Sequence, residues 1–535
     1  MKSAQTQRWR GVAHFWHTHP MGEIIKSVKT ALAQASEEFV AVQTMGGRMH
    51  VRWDHGAQAT PHGQIVYFAE FLATAGIFDN WVKSCPLHYT SPNASSVRDV
   101  LGTLMLGILS GSKRYAHLAG IRGDQVAAQA LGLNRIVSED SVRRALSAMD
   151  ANAAQSWMQQ ALKDSVMEAL DRNWILDLDT TIKSLFGHQE GAKIGYNPHK
   201  PGRPSHALHT YWVGNLRLVL DMQLRSGKEH ASGHGKAGLD KLLDELGERG
   251  PAMVRGDSDY GNEDIIDICE KHNRRYLLRL RKTANVKRLI ERLFNRQDWT
   301  AANEASQGWQ AIEDKLRLAG WNKERRVVVL RRPIKRDVAL TQRDKEGQQQ
   351  VLALGWDEVQ EDAQLWEYTV LVTDVDYELS AIGQLYRDRC DCENGFDELK
   401  NQWGWGGFTT QDMHRSELTA RAVALVYNWW SWYVRAANPQ ARREALTSRP
   451  LLLAAVGRAT HSGGRTELHL TPMHAEVGLI KTMIANVQAA IAYVRRAAEQ
   501  LPKIDRWRIL LGYICEQITR HTVLPQPPPA LAGAG

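Results

Sequence analysis

Four side chains that could act together on a phosphodiester lie in the segment YRDRCDCENGFDELK: Tyr386, Arg389, Glu393 and Lys400. No proline interrupts residues Ile382 to Trp403, and the good helix formers Leu, Arg, Glu and Lys dominate, so a helix is expected there. At about 100° per residue the four fall in one sector roughly 60° wide. Beside it runs an apolar stripe of Leu385, Cys392, Phe396, Leu399 and Trp403. Such a helix buries one side and carries a carboxylate, a guanidinium, an ammonium and a phenol along its edge. The carboxylate can hold a metal ion while the other three grip phosphate oxygens. Charges at this spacing also describe a solvated face with weak intrahelical pairs, and amphipathicity alone does not separate the two.

The spacing Tyr-x2-Arg-x3-Glu-x6-Lys resembles the signature helix of the insertion-sequence DDE transposases of the YREK type. That resemblance implies a ribonuclease-H-like core, cut-and-paste chemistry, and two further aspartates upstream, each at the end of a strand.

The elements that would position those aspartates are readable. In Trp174-Ile175-Leu176-Asp177-Leu178-Asp179-Thr180-Thr181, Asp177 and Asp179 alternate with apolar residues, so both project from one face of a buried strand. A carboxylate there is costly unless paired or bound to metal, and alternation cannot choose between them. The resemblance favours Asp179, which Thr-Thr follows, with Asp177 as the alternative. Ala252 to Asp257 reads as a short strand ending on an aspartate before the helix Asp264–His272, where open α/β sheets place their chemistry. An N-cap or turn aspartate reads the same way. The family pattern maps onto Asp257 with Tyr260, and Asp259 fits less well. The order from Trp174 to Leu280 is strand, strand, strand, helix, strand, helix, strand.

The resemblance therefore implies Asp179, Asp257 and Glu393 as catalytic residues and metal ligands, and Tyr386, Arg389 and Lys400 as contacts to DNA. An oxygen-only ligand set selects Mg²⁺, with Mn²⁺ as substitute and two ions expected, rather than zinc. Histidine pairs His206/His209 and His230/His234 lack partners at zinc-site spacing and read as surface or structural groups. No phosphate-binding Gly loop, nucleophile elbow or dinucleotide fingerprint is present.

The chain's 535 residues exceed one ordinary core. Expected fold class is α/β: a ribonuclease-H-like mixed-sheet core (171–281 with 379–410), a β-rich insertion domain (282–378), and helical flanking regions. Residues 1–94 have no legible role, 95–170 form helices that either bind DNA or brace the core, 411–522 are helical with a possible dimerisation role carried over from the family, and 523–535 form a disordered tail. A net charge of +8 favours polyanionic partners, weakly. The insertion's Trp299, Trp309, Trp321, Trp356 and Trp366 are core residues by default, although one such tryptophan can stack on a flipped base in the family. Five cysteines without an even framework read as reduced thiols, and no signal peptide or bilayer-length apolar stretch is evident.

Taken together, the expected protein is a DNA transposase that binds element ends and target DNA as a homodimer, with no membrane partner. It would act in the bacterial cytoplasm on chromosomal or plasmid DNA. A nuclease that cuts without joining, and a non-catalytic DNA-binding derivative, are the alternatives.

Overall fold

The structure is a computed structural model that describes residues 40–54, 56–89, 91, 93–197, 200–229, 231–302, 306–334, 365–497 and 503–521. The tail at 523–535, Trp356 and His230 lie outside the described residues. The chain divides into two units, residues 1–59 with 458–467, and residues 60–457 with 468–535. In the smaller one, Val40–Thr44 pairs antiparallel with Gly47–Val51.

The larger unit is organised by a mixed sheet. Its first strands are β1 (Ile175–Ser184), β2 (Pro204–Val213), β3 (Leu218–Ser226), β4 (Met253–Gly256) and β5 (Arg275–Arg279). They lie in the order β3-β2-β1-β4-β5, with β1, β2 and β3 antiparallel to their neighbours and β1, β4 and β5 parallel. The crossover from β3 to β4 carries α1 (Ala231–Leu246), and that from β4 to β5 carries α2 (Glu263–Lys271). This is a ribonuclease-H-like core, in the element order read from the sequence. Parallel strands are covered on both faces, and β4, parallel to both of its neighbours, is buried at all four residues.

Three strands from the 282–378 segment continue this same sheet: β6 (Gln310–Leu316), β7 (Arg325–Ile334) and β8 (Leu365–Thr373). β8 pairs antiparallel with β5 through Leu371–Arg279, Val372–Leu278 and Thr373–Leu277. Trp299, Trp309 and Trp321 are buried there, with the Arg331 guanidinium 3.9 Å over Trp299 and that of Arg332 4.9 Å over Trp309.

After β8 come α3 (Leu379–Arg387), α4 (Cys390–Gln402) and α5 (Met413–Ala437). α5 is the hub of the helical layer and is buried almost end to end, including Trp429, Trp430 and Trp432. It packs on β3 together with the helix Ala151–Val166. Asn428 of α5 bonds both backbone groups of Val219 and the Ser165 hydroxyl, tying strand and two helices at one point. The helix Val97–Leu109, capped by Ser96, is also a core helix. Ser138 caps Glu139–Ala148, and Arg143 and Arg144 are exposed. One expectation is corrected: the helix Val477–Ala497 is, by length and composition, long and apolar enough to cross a membrane. Its Ile480, Met483, Val487, Ile491 and Val494 are buried within the helical layer.

Candidate active site

The two upstream aspartates are brought side by side by strand register. β1 and β4 pair in parallel from Ile175–Met253 to Leu178–Gly256, and one step further along the same register come Asp179 and Asp257. Adjacent strands lie about 4.8 Å apart, so the two carboxylates meet on one face. Asp257 follows the last residue of β4, as expected, but Asp179 lies within β1, which runs on to Ser184. Asp179 Oδ1 accepts from the Thr180 amide at 2.8 Å, and Asp257 Oδ1 from the Asp259 amide at 2.9 Å.

The segment carrying the other four residues is not one helix. It breaks at Asp388 and Arg389, between α3 and α4. Here the Arg389 amide bonds Tyr386 O, the Asp391 amide bonds Asp388 O and the Cys392 amide bonds Arg389 O, all tight three-residue steps. Arg389 is thereby turned inward and buried, with Nη2 at 2.8 Å from Asp179 Oδ2. Of the apolar stripe, Cys392, Phe396, Leu399 and Trp403 are buried and Leu385 is half-buried. Glu393 is exposed at the start of α4 and Lys400 half-buried near its end, while Tyr386 is half-buried at the end of α3.

Electrostatics link all six residues. Burial pushes the Asp179 carboxyl up to about 7 despite the pull of Arg389, and the charges of Asp257 and Glu393 push the same way. Burial likewise raises Asp257, with Arg389 opposing. Burial lowers the Lys400 ammonium while Asp179 pulls it back up. Burial raises the Tyr386 phenol, with Arg389 and Arg279 opposing and Asp257 and Asp179 assisting. Arg389 Nε is buried with no hydrogen-bond partner among the described residues, a donor that an anionic ligand could satisfy. Carboxylates that raise the proton affinity of a buried neighbour are stabilised by a cation, and an all-oxygen donor set fits a hard divalent ion.

The alternative carboxylates, Asp177 and Asp259, each have an arginine partner. Asp177 is fully buried and is gripped by Arg255, Nε to Oδ1 at 2.6 Å and Nη2 to Oδ2 at 2.7 Å. Asp259 pairs with Arg281 at 2.6 Å. His206 and His209 are buried, and His209 Nδ1 lies 2.7 Å from the Thr180 hydroxyl. That hydroxyl also lies 2.7 Å from the Tyr260 phenol, so the residue after Asp179 is tied to the third residue after Asp257. Sequence reading missed Arg255. Its signal was an arginine inside the apolar run Ala252-Met253-Val254-Arg255, a buried charge that needs a partner.

One further group could gather a metal: Asp240, Asp244 and His272 on α1 and at the end of α2. Asp240 already accepts from Lys271 and from His272, each at 2.7 Å, so a cation there would compete with an ammonium.

The ribonuclease-H-like sheet thus carries Asp179 on β1 beside Asp257 after β4, with Glu393 on α4. The family model for the transposase DDE domain, group 1, matches residues 43–492, and the chain belongs to that family. Among solved structures, the cryo-EM structure of a piggyBac transposase synaptic complex with hairpin DNA is similar at 10% identity. That match covers 88% of this chain and 87% of that one, with a TM-score of 0.34. No curated protein matches the sequence.

Proposed function

We propose that this chain is a transposase of the YREK type that binds the ends of a DNA element, cuts them and joins them to target DNA in the cytoplasm. The observation that carries the reading is the side-by-side placement of Asp179 and Asp257 by the β1–β4 register, with Arg389 2.8 Å from Asp179 and with Glu393 and Lys400 near enough to act electrostatically on Asp179. Asp179, Asp257 and Glu393 are the residues that would hold Mg²⁺, or Mn²⁺ in its place, as a pair of ions. When bound, such ions make water or a 3′-hydroxyl a better nucleophile and steady the leaving oxygen.

The protein's own groups do the rest. Asp179 and Asp257, fixed by strand register and by backbone amides, set where the phosphodiester must lie. Arg389, with its unpartnered Nε, and Lys400 offer donors to phosphate oxygens, the first as a fork and the second as a point charge. Tyr386 adds a phenol at the same edge. In the first step water adds to phosphorus and the bond to the departing strand's oxygen breaks, leaving a free 3′-hydroxyl. In the second, that hydroxyl adds to a target phosphorus and displaces another 3′-oxygen, so one P–O bond is exchanged for another. A homodimer on paired DNA ends suits this sequence of steps.

Incubation of a labelled duplex bearing the element's inverted repeats with Mg²⁺ tests the reading. Wild type should cut at the ends and join them to a second duplex, and Glu393→Ala should bind without cutting. Cutting without joining would leave a nuclease, and binding without cutting by both proteins would leave a DNA-binding derivative.

A further inference from the structure

We propose that Asp177 and Arg255 form a positioning pair that aligns the three carboxylates, a proposal that rests on the catalytic reading above. The two residues face each other directly in the β1–β4 register, and each stands two residues before a proposed ligand, Asp179 or Asp257. Period-two alternation puts all four on one face of the sheet. The inner pair is neutralised by its own bidentate contact, with side chains 3% and 1% exposed. Asp177 therefore has little left to offer a metal.

The remaining contacts of the pair reach across to the helical segment. Arg255 Nη1 donates to the carbonyl of Leu385, the residue before Tyr386. Asp177 Oδ2 accepts from the Cys392 thiol at 3.1 Å, and Cys392 is the residue before Glu393. One ion pair thus holds both sides of the Asp388–Arg389 break, which sets where Arg389 and Glu393 enter the site. Room for it is made by Gly214, where a Cβ would lie 2.1 Å from Asp177 Oδ2. Stability does not explain the pair, because apolar side chains of similar volume commonly replace a buried ion pair without loss. Its geometry does.

The test compares wild type with Asp177→Leu/Arg255→Met, which removes both charges together, and with Arg255→Lys, which keeps the charge but not the three-way fork. Folding is checked by circular dichroism and thermal melting. Amide exchange across residues 386–394 is measured on the metal-free proteins, and Mn²⁺ affinity by calorimetry. The folded double variant should exchange at least about tenfold faster across that turn and bind Mn²⁺ roughly 10–100-fold more weakly. Arg255→Lys should move both readouts in the same direction, and it decides the matter if the double variant does not fold. Wild-type exchange and wild-type Mn²⁺ affinity in a folded variant would overturn the proposal. If Asp179→Asn bound Mn²⁺ as tightly as wild type, the metal-site reading would fail instead, and the exchange measurement would still decide whether the pair positions the turn.

Discussion

Arg389 and Asp179 form a 2.8 Å ion pair inside the acidic site, with neither side chain appreciably exposed. The same guanidinium also offsets the charge of Asp257. An internal cation therefore stands where an external one is expected to bind. Removing it should make the protein depend more on metal. On adding Mg²⁺, the rise in melting temperature should be larger for Arg389→Ala than for wild type, because ligand binding to the native state alone adds stability. Equal gains would show that Arg389 does not share the site's charge balance.

Two glutamates on α4 should separate cleanly. Glu398 is buried, accepts from the Trp403 indole and from the Ala445 amide at 3.0 Å, and pairs with Arg442. Glu398→Gln strands that arginine and should cost roughly 3–5 kcal/mol in denaturant unfolding. Glu393→Gln, at an exposed position, should stay within about 0.5 kcal/mol of wild type yet abolish cleavage. Comparable destabilisation by both would contradict the assignment.

Gly395 sits where α4 meets β2. A Cβ there would lie 2.8 Å from Cη2 of Trp212, a fully buried ring wedged against Phe396 and Tyr427. The indole cannot yield, so Gly395→Ala should lift α4 from the sheet and cost about 1–3 kcal/mol. Cleavage should fall more than DNA binding does, because Glu393 moves with the helix. Wild-type melting and cleavage rates would mean that the contact relaxes freely.

Lys183, near the end of β1, is buried and donates to the Gly407 carbonyl at 2.6 Å. Burial lowers its ammonium to about 8, from an ordinary 10.5. Between those values the unfolded chain binds a proton that the native protein does not, so stability should rise with pH across that window. Below it the charged form is common to both states and the contribution is flat. Wild type should thus gain stability relative to Lys183→Met from pH 8 to 10, and parallel curves would show that the ammonium is not desolvated.

The strand and helix order of the core was legible because buried strands are short apolar runs, and because Asp179 and Asp257 interrupt them where a charge needs a reason. Alternation did not separate Asp177 from Asp179, since both share one face, and the Arg255 that pairs with Asp177 is brought opposite it only by the strand register. The break at Asp388 was invisible for a related reason. Its local sequence favours helix, and contacts from Asp179 and Arg255 far away in the chain hold it. β6 escaped notice because Gln310–Leu316 carries Glu313, Asp314 and Lys315 in succession, and nothing local says that β8 will pair with β5 to extend the sheet.

The central claim is that Asp179, Asp257 and Glu393 together hold a divalent cation. Titration of Mn²⁺, followed by electron paramagnetic resonance, tests it most directly for wild type, Asp179→Asn, Asp257→Asn, Glu393→Gln and, as a contrast, Asp240→Asn. Tight binding should be lost in the first three variants and kept in Asp240→Asn. Loss in Asp240→Asn with binding retained in the other three would place the cation on α1 and contradict the account.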